Sequence, residues 1–238
     1  MKKKYVHTSN DIIDSSPSVL VPIIVKLFKP ESLVDVGCGI GNWLKEFENN
    51  NVSDLFGIDG THLDRSLFLL NSEKLMLLDL EKPFSLDRKF DVAISLEVAE
   101  HLKADSANDF VRSLCSLSDI VVFSAAVPGQ GGQNHLNEQW PSFWKKKFEE
   151  NGYYFNDVIR PLIWINDNVR IHYRQNIFVA SKKPVRQDFD ISPIIDMLHP
   201  DMLQAKMTEA MNGEFGARFA ANSLRKSVAL SLRNRFKK

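Results

Sequence analysis

Leu33-Val34-Asp35-Val36-Gly37-Cys38-Gly39-Ile40-Gly41-Asn42-Trp43 decides the fold of this 238-residue chain. A short apolar run with an acidic residue near its end meets glycines at every second position, and Trp43, Leu44 and Phe47 then recur at helical spacing. That order predicts a strand, a tight turn and a helix. Glycine tolerates φ > 0 and lets main chain approach a ligand closely, so the turn is predicted to be a binding loop. A phosphate loop ends in Gly-Lys-Ser/Thr, whereas Gly41 is followed by Asn42 and Trp43, so no lysine is placed to meet a triphosphate. A dinucleotide fingerprint would put its third glycine at position 42, but Gly37, Gly39 and Gly41 are evenly spaced and Asp35 precedes them.

The rest of the composition is ordinary for a globular protein: 44% hydrophobic, 25% charged, and long enough for one substantial α/β domain with an appendage. The formal net charge is zero, which disfavours DNA or RNA as a partner and favours small-molecule chemistry. Cys38 and Cys115 are the only cysteines, too few for a disulfide framework and in keeping with a reducing cytoplasm. Cys38, inside the glycine turn, reads as a small space-filling residue rather than a nucleophile. Lys2 to Lys4 begin like a signal peptide, but the polar stretch His7-Thr8-Ser9-Asn10-Asp11 follows instead of a long apolar run. No segment reaches the roughly 20 apolar residues of a membrane span, so a soluble, cytoplasmic protein is expected.

Upstream of the turn, Ser16-Pro17 predicts a helix with Ser16 as N-cap, an apolar stripe of Val19, Leu20, Ile23, Ile24 and Leu27, a bend near Pro22 and a stop at Pro30. Downstream, the helix after the turn ends near Asn49-Asn50-Asn51, and strands are predicted over 54–58, 75–78, 90–95 and 119–124. The run 90–95 is nearly all apolar, as a strand covered on both faces should be. A helix over 104–117 carries Ala107, Phe110, Val111, Leu114 and Leu117 as its core face, and another over 140–154 turns Phe143, Trp144 and Phe148 inward. Runs 153–160 and 171–180 predict a closing antiparallel pair joined around Asn166-Asp167-Asn168. Beyond Pro184 the pattern is helical, with Met197, Leu198, Met202, Leu203 and Met207 on one side and a break at Gly213-Glu214-Phe215-Gly216. Residues 217–238 hold seven basic side chains and no acidic one, a basic amphipathic helix suited to an anionic membrane surface, a partner, or its own domain.

In a doubly wound sheet, ligands bind at the carboxyl edge of the strands. Asp59, 18 residues beyond Gly41 and just before Gly60, falls at the tip of the second strand, where a carboxylate can accept hydrogen bonds from both hydroxyls of a ribose. The alternative is a solvated turn aspartate. Asp79, followed by Leu80, stands at the carboxyl end of the third strand, where an aspartate commonly caps a helix or turn. Glu97 and His101 stand four apart and would share one face of a helix, either shaping the site or forming a surface ion pair. The exit of the fifth strand, Ala125 to Pro141, combines glycines with amides, His135, Glu138 and Trp140 at the same edge. The sequence shows no tight cluster of His, Asp and Cys that suggests a dedicated metal site, though a loosely held magnesium ion stays open.

Taken together over residues 33–180, these segments resemble the class I S-adenosylmethionine-dependent methyltransferase superfamily. The resemblance implies an α/β, doubly wound, seven-stranded, mostly parallel sheet of Rossmann-like methyltransferase type, with an antiparallel seventh strand inserted between the fifth and sixth. It implies a methyltransferase domain at 1–183 and a helical, basic C-terminal extension at 184–238. S-adenosyl-L-methionine is the implied cofactor: Asp35, Gly37, Cys38, Gly39 and Gly41 would cradle its methionine end, Asp59 and Gly60 its ribose, and Asp79 and Leu80 its adenine. Glu97 would lie in the loop that meets cofactor and substrate. The runs 90–101, 123–132 and 135–140 also look like a bacterial group of small methyltransferases associated with surface-polysaccharide and related pathways, which implies O-methylation of a small-molecule or sugar-linked acceptor. A hydroxyl acceptor loses its proton as the new bond forms, and histidine titrates in the useful range, so His135 is the leading base, with Glu138 orienting it or the substrate, and His101 second. The alternatives are N-methylation, a nicotinamide-dependent oxidoreductase, and a non-catalytic methyltransferase-like partner subunit.

Overall fold

The computed structural model describes residues 14–185, 196–212 and 225–226. Helix α1 (Ser16–Phe28) leads into β1 (Ser32–Val36), and the glycine turn delivers the chain to α2 (Asn42–Asn49). Then come β2 (Asp54–Gly60), β3 (Leu75–Leu78), β4 (Val92–Leu96), α3 (Ala107–Leu117) and β5 (Ile120–Ser124). Helix α4 (Pro141–Glu150), β6 (Tyr154–Asn156), α5 (Arg160–Ile163), α6 (Ile171–Asn176) and β7 (Phe178–Ser181) complete the sheet. The strand order is β3-β2-β1-β4-β5-β7-β6. All neighbours are parallel until β7, which runs antiparallel to both β5 and β6. This is the seven-stranded methyltransferase-type sheet, its order reversing beside β1.

Side chains alternate across the strands, so two cores form. Leu33, Val92, Ile94 and Val122 face one layer with Leu20 and Ile24 of α1 and Leu44 and Phe47 of α2. Val34, Val36, Ala93, Val121 and Phe123 face the other with Phe110, Val111 and Leu114 of α3 and Trp144 and Phe148 of α4. Both faces are covered, which is why β1, β4 and β5 read as continuous apolar runs.

Several expected boundaries move. Ser15 occupies the N-cap of α1, and the Ser16 amide donates to Asp14 Oδ1 at 2.8 Å. The buried face is Pro17, Leu20, Val21 and Ile24, while Leu27 is exposed. The helix expected from residue 104 starts as a 3-10 turn over Ala104–Ser106, and the one expected over 140–154 stops at Glu150. The largest change lies in 171–180: its first half is α6, and only Phe178–Ser181 is strand. Buried Arg160 stabilises this stretch, its Nε donating to Asp157 (3.0 Å) and its Nη1 to the Gln175 carbonyl (3.2 Å).

The chain divides into two compact units, Met1–Met197 and Leu198–Lys238. In the second, α7 (Pro200–Met211) begins with the Asp201 amide donating to His199 Nδ1 at 3.1 Å. Met202 is buried but Leu203 and Met207 are exposed, so the expected apolar side does not form one buried stripe. The 213–216 break and most of the basic run 217–238 lie outside the described residues; Arg225 and Lys226 are helical. Among the described residues no helix is long and apolar enough to cross a membrane.

Candidate active site

The carboxyl ends of β1, β2, β4 and β5 converge on one edge. After β1, Gly37 and Gly41 take φ of 86° and 90°, which a side chain would strain, and the Gly37 and Cys38 amides donate to the Ile58 carbonyl. A Cβ on Gly37 would lie 2.3 Å from Val98 Cγ2, so glycine there lets the loop after β4 close onto the turn. Asp59 locks the same turn from β2. One oxygen accepts from the Gly39 amide and the other from the Gly60 amide, both at 2.6 Å.

Asp35 is buried and its Oδ2 lacks a hydrogen-bond partner. Burial, and then the charge of Asp59, raise its carboxyl well above the usual range. The same desolvation, with Asp35 and Asp59 beyond it, pushes the Cys38 thiol far up, which agrees with a space-filling cysteine. Two acidic groups at this strand-to-helix turn fit a cofactor that offers ammonium or hydroxyl donors, while the Gly37, Gly39 and Gly41 amides are bonded to the Ile58 carbonyl, Asp59 Oδ2 and the Cys38 carbonyl and hold the turn's shape. Asp79 is exposed just past the end of β3, one residue beyond the Leu78 that pairs with Gly60, its Oδ1 accepting from the Glu81 amide (3.1 Å) as a turn cap, and Leu80 is buried.

The segment after β4 departs from the helix expected for it. Glu97 takes φ of 56°, which breaks regular structure, and Ala99–His101 form a single 3-10 turn. Glu97 and His101 therefore do not share a helix face. Instead Glu97 Oε2 accepts from Gln130 Nε2 (2.8 Å) and Oε1 from Asn176 Nδ2 (3.1 Å), while Asn176 Nδ2 also reaches Gln130 Oε1 (2.8 Å). Three loops and helices meet in that network. Asn176 was not legible as a site residue, because its role depends on α6 returning to β4.

The loop after β5 folds back on the 3-10 turn: the Leu136 and Asn137 amides donate to the Glu100 carbonyl at 2.7 and 3.0 Å. This brings the His135 ring within 5.0 Å of the His101 ring, nearly perpendicular to it. His135 Nδ1 lies 2.9 Å from Glu138 Oε1, and the two Glu138 oxygens also accept from the Gly129 and Gly131 amides, each at 2.7 Å. Burial works against the Glu138 charge, but the bonds from His135, Gly129 and Gly131 outweigh it and hold the carboxyl below its ordinary range. A carboxylate only accepts, so Nδ1 is the donor to Glu138, and a neutral ring in this orientation carries its lone pair on Nε2. A Cβ on Gly132 would come within 2.3 Å of that Nε2. Burial, and then His135, lower the His101 pKa. Beneath both rings lies Glu100, fully buried.

A family model described as a methyltransferase domain matches residues 14–157. Among solved structures, DesVI of Streptomyces venezuelae superposes with a TM-score of 0.54 at 15% identity, over 75% of this chain and 100% of that one. The sugar N-methyltransferase KedS8 from Streptoalloteichus gives 0.55 at 14%, over 77% and 96%. Magnesium protoporphyrin IX methyltransferase (ChlM) from Synechocystis gives 0.53 at 16%, over 76% and 90%. These likenesses are of fold. No curated protein sequence matches significantly.

Proposed function

This chain belongs to the methyltransferase-domain family, and from that premise we propose that it moves the methyl group of S-adenosyl-L-methionine to a hydroxyl of a small or sugar-linked acceptor, in a surface-polysaccharide or related pathway. The sulfonium of that cofactor supplies an activated methyl group. Asp35, the glycine turn, Asp59 and Gly60 hold its methionine and ribose end, Asp79 and Leu80 flank the adenine, and Glu97 borders the methyl position. Alignment and exclusion of water then lower the barrier to an in-line displacement.

The observation that carries the hydroxyl reading is the His135–Glu138 pair, with Nδ1 fixed on the carboxylate and the Nε2 lone pair available to an acceptor's proton. A neutral amine attacks with its own lone pair and needs no such group; a hydroxyl does. His101 stands beside His135, its ring edge-on to it. The test is to supply methyl-labelled S-adenosylmethionine with a panel of glycosides and amino sugars. A labelled methyl ether is expected. Label on nitrogen alone removes the hydroxyl reading, and calorimetry showing no cofactor binding removes the methyltransferase reading.

A further inference from the structure

Glu100, His101 and His135 each offer a ligand atom, and these atoms all lie within 4.8 Å of one another. Glu100 is the unusual member. Its side chain is fully buried, and neither carboxyl oxygen meets a donor at regular hydrogen-bond geometry, with Glu97 and the Ala126 amide close by. Its neighbour Glu97 adds negative charge, already held by Gln130 and Asn176. A buried carboxylate without a cation is costly, and each oxygen lacking a donor adds to the cost.

We propose that Glu100, His101 and His135 bind a first-row divalent cation of the Zn²⁺ or Co²⁺ kind. Two imidazoles with one carboxylate suit such ions better than magnesium or calcium, and three protein ligands leave a further position open for an exogenous oxygen. Ligand atoms around such an ion stand about 3 Å apart, so the three side chains close by an ångström or so on binding. Glu138 is the positioning residue. By accepting from His135 Nδ1 it turns Nε2 toward the ion, the arrangement in which a carboxylate orients a metal-bound histidine. Gly132 leaves room for Nε2 to do this.

The consequence for catalysis, but not the binding itself, rests on the methyl-transfer reading. The acceptor hydroxyl takes the open position and becomes more acidic. Its proton leaves to solvent as the O–C bond forms and the C–S bond breaks, giving the methyl ether and S-adenosylhomocysteine. With the ion bound, His135 acts through it; in the metal-free protein its Nε2 is the proton acceptor.

The test is titration of the metal-free full-length protein with Co²⁺, followed by visible absorption and calorimetry, with Zn²⁺ as competitor. Stoichiometric binding with ligand-field bands is expected, lost in His101→Asn and His135→Asn and displaced by Zn²⁺. Glu138→Gln should weaken binding by about 10- to 100-fold. Circular dichroism confirms that each variant is folded, and Glu100→Gln supplies a third ligand deletion. Binding that is absent in the wild type, or equal in the wild type and the histidine variants, overturns the proposal. Calorimetry with S-adenosylhomocysteine on the same metal-free protein separates the two readings: cofactor binding without Co²⁺ binding sinks the cation alone, and Co²⁺ binding without cofactor binding sinks the methyltransferase reading alone.

Discussion

On the proposed function, single side chains divide cofactor binding from acceptor chemistry. His135→Ala should cut turnover by about 10²-fold or more while leaving S-adenosylmethionine affinity nearly unchanged, whether Nε2 takes a proton or holds an ion. Steady-state kinetics beside calorimetry checks this, and near-normal turnover would remove His135 from the site. Asp59→Ala should do the reverse, weakening the cofactor. Because both oxygens of Asp59 also hold the Gly39 and Gly60 amides, Asp59→Asn should lose affinity too: an amide can accept at only one of its two positions. Unaltered affinity in both variants would take Asp59 off the cofactor side. At this scale the sequence was readable where a residue's role is local. His135 and Glu138 are three apart in one loop and do meet; Asp59 sits at the strand tip that its spacing implied. Glu100, beside His101, is not legible as part of the site, because nothing in a linear reading tells a buried carboxylate from a solvated one.

Among the elements, α6 changes the picture most. The run 171–180 reads as a closing strand in sequence, yet Ile171–Asn176 is helical, with the Gln175 carbonyl accepting from Arg160 and Asn176 Nδ2 donating to Glu97. Tertiary demands of this kind override local periodicity. The strand β7 that follows is short, four residues, and sits where the methyltransferase-type topology required it. The element-level prediction concerns the joint between α6 and the loops after β4 and β5. Asn176→Ala removes a donor shared by Glu97 and Gln130, and should lower kcat/KM by roughly tenfold, about 1.4 kcal/mol, in a folded enzyme. Asn176→Asp, which sets a second carboxylate against Glu97, should lose more. If both variants keep wild-type kcat/KM, the network does not position Glu97.

For the molecule as a whole, the response to acid tests how the site is built into the fold. His172, on α6, is held below the ordinary histidine range first by burial; Arg170 and His135 act in the same direction, and Glu97 and Asp14 oppose them without prevailing. In the unfolded chain this histidine titrates near about pH 6.5. Between that value and the lower folded one, the unfolded state holds more protons than the native state, so stability rises with pH through the window. The contribution is complete above about pH 6.5 and is lost as pH falls through the folded value. Denaturant midpoints measured at steps from about pH 7.5 to pH 5 should therefore decline in the wild type, and His172→Gln should flatten the decline. A His172→Gln variant with the same acid slope as the wild type would mean that the ring is not kept neutral by its surroundings. The site wall formed by α6 would then contribute nothing to the acid sensitivity of the sheet it closes.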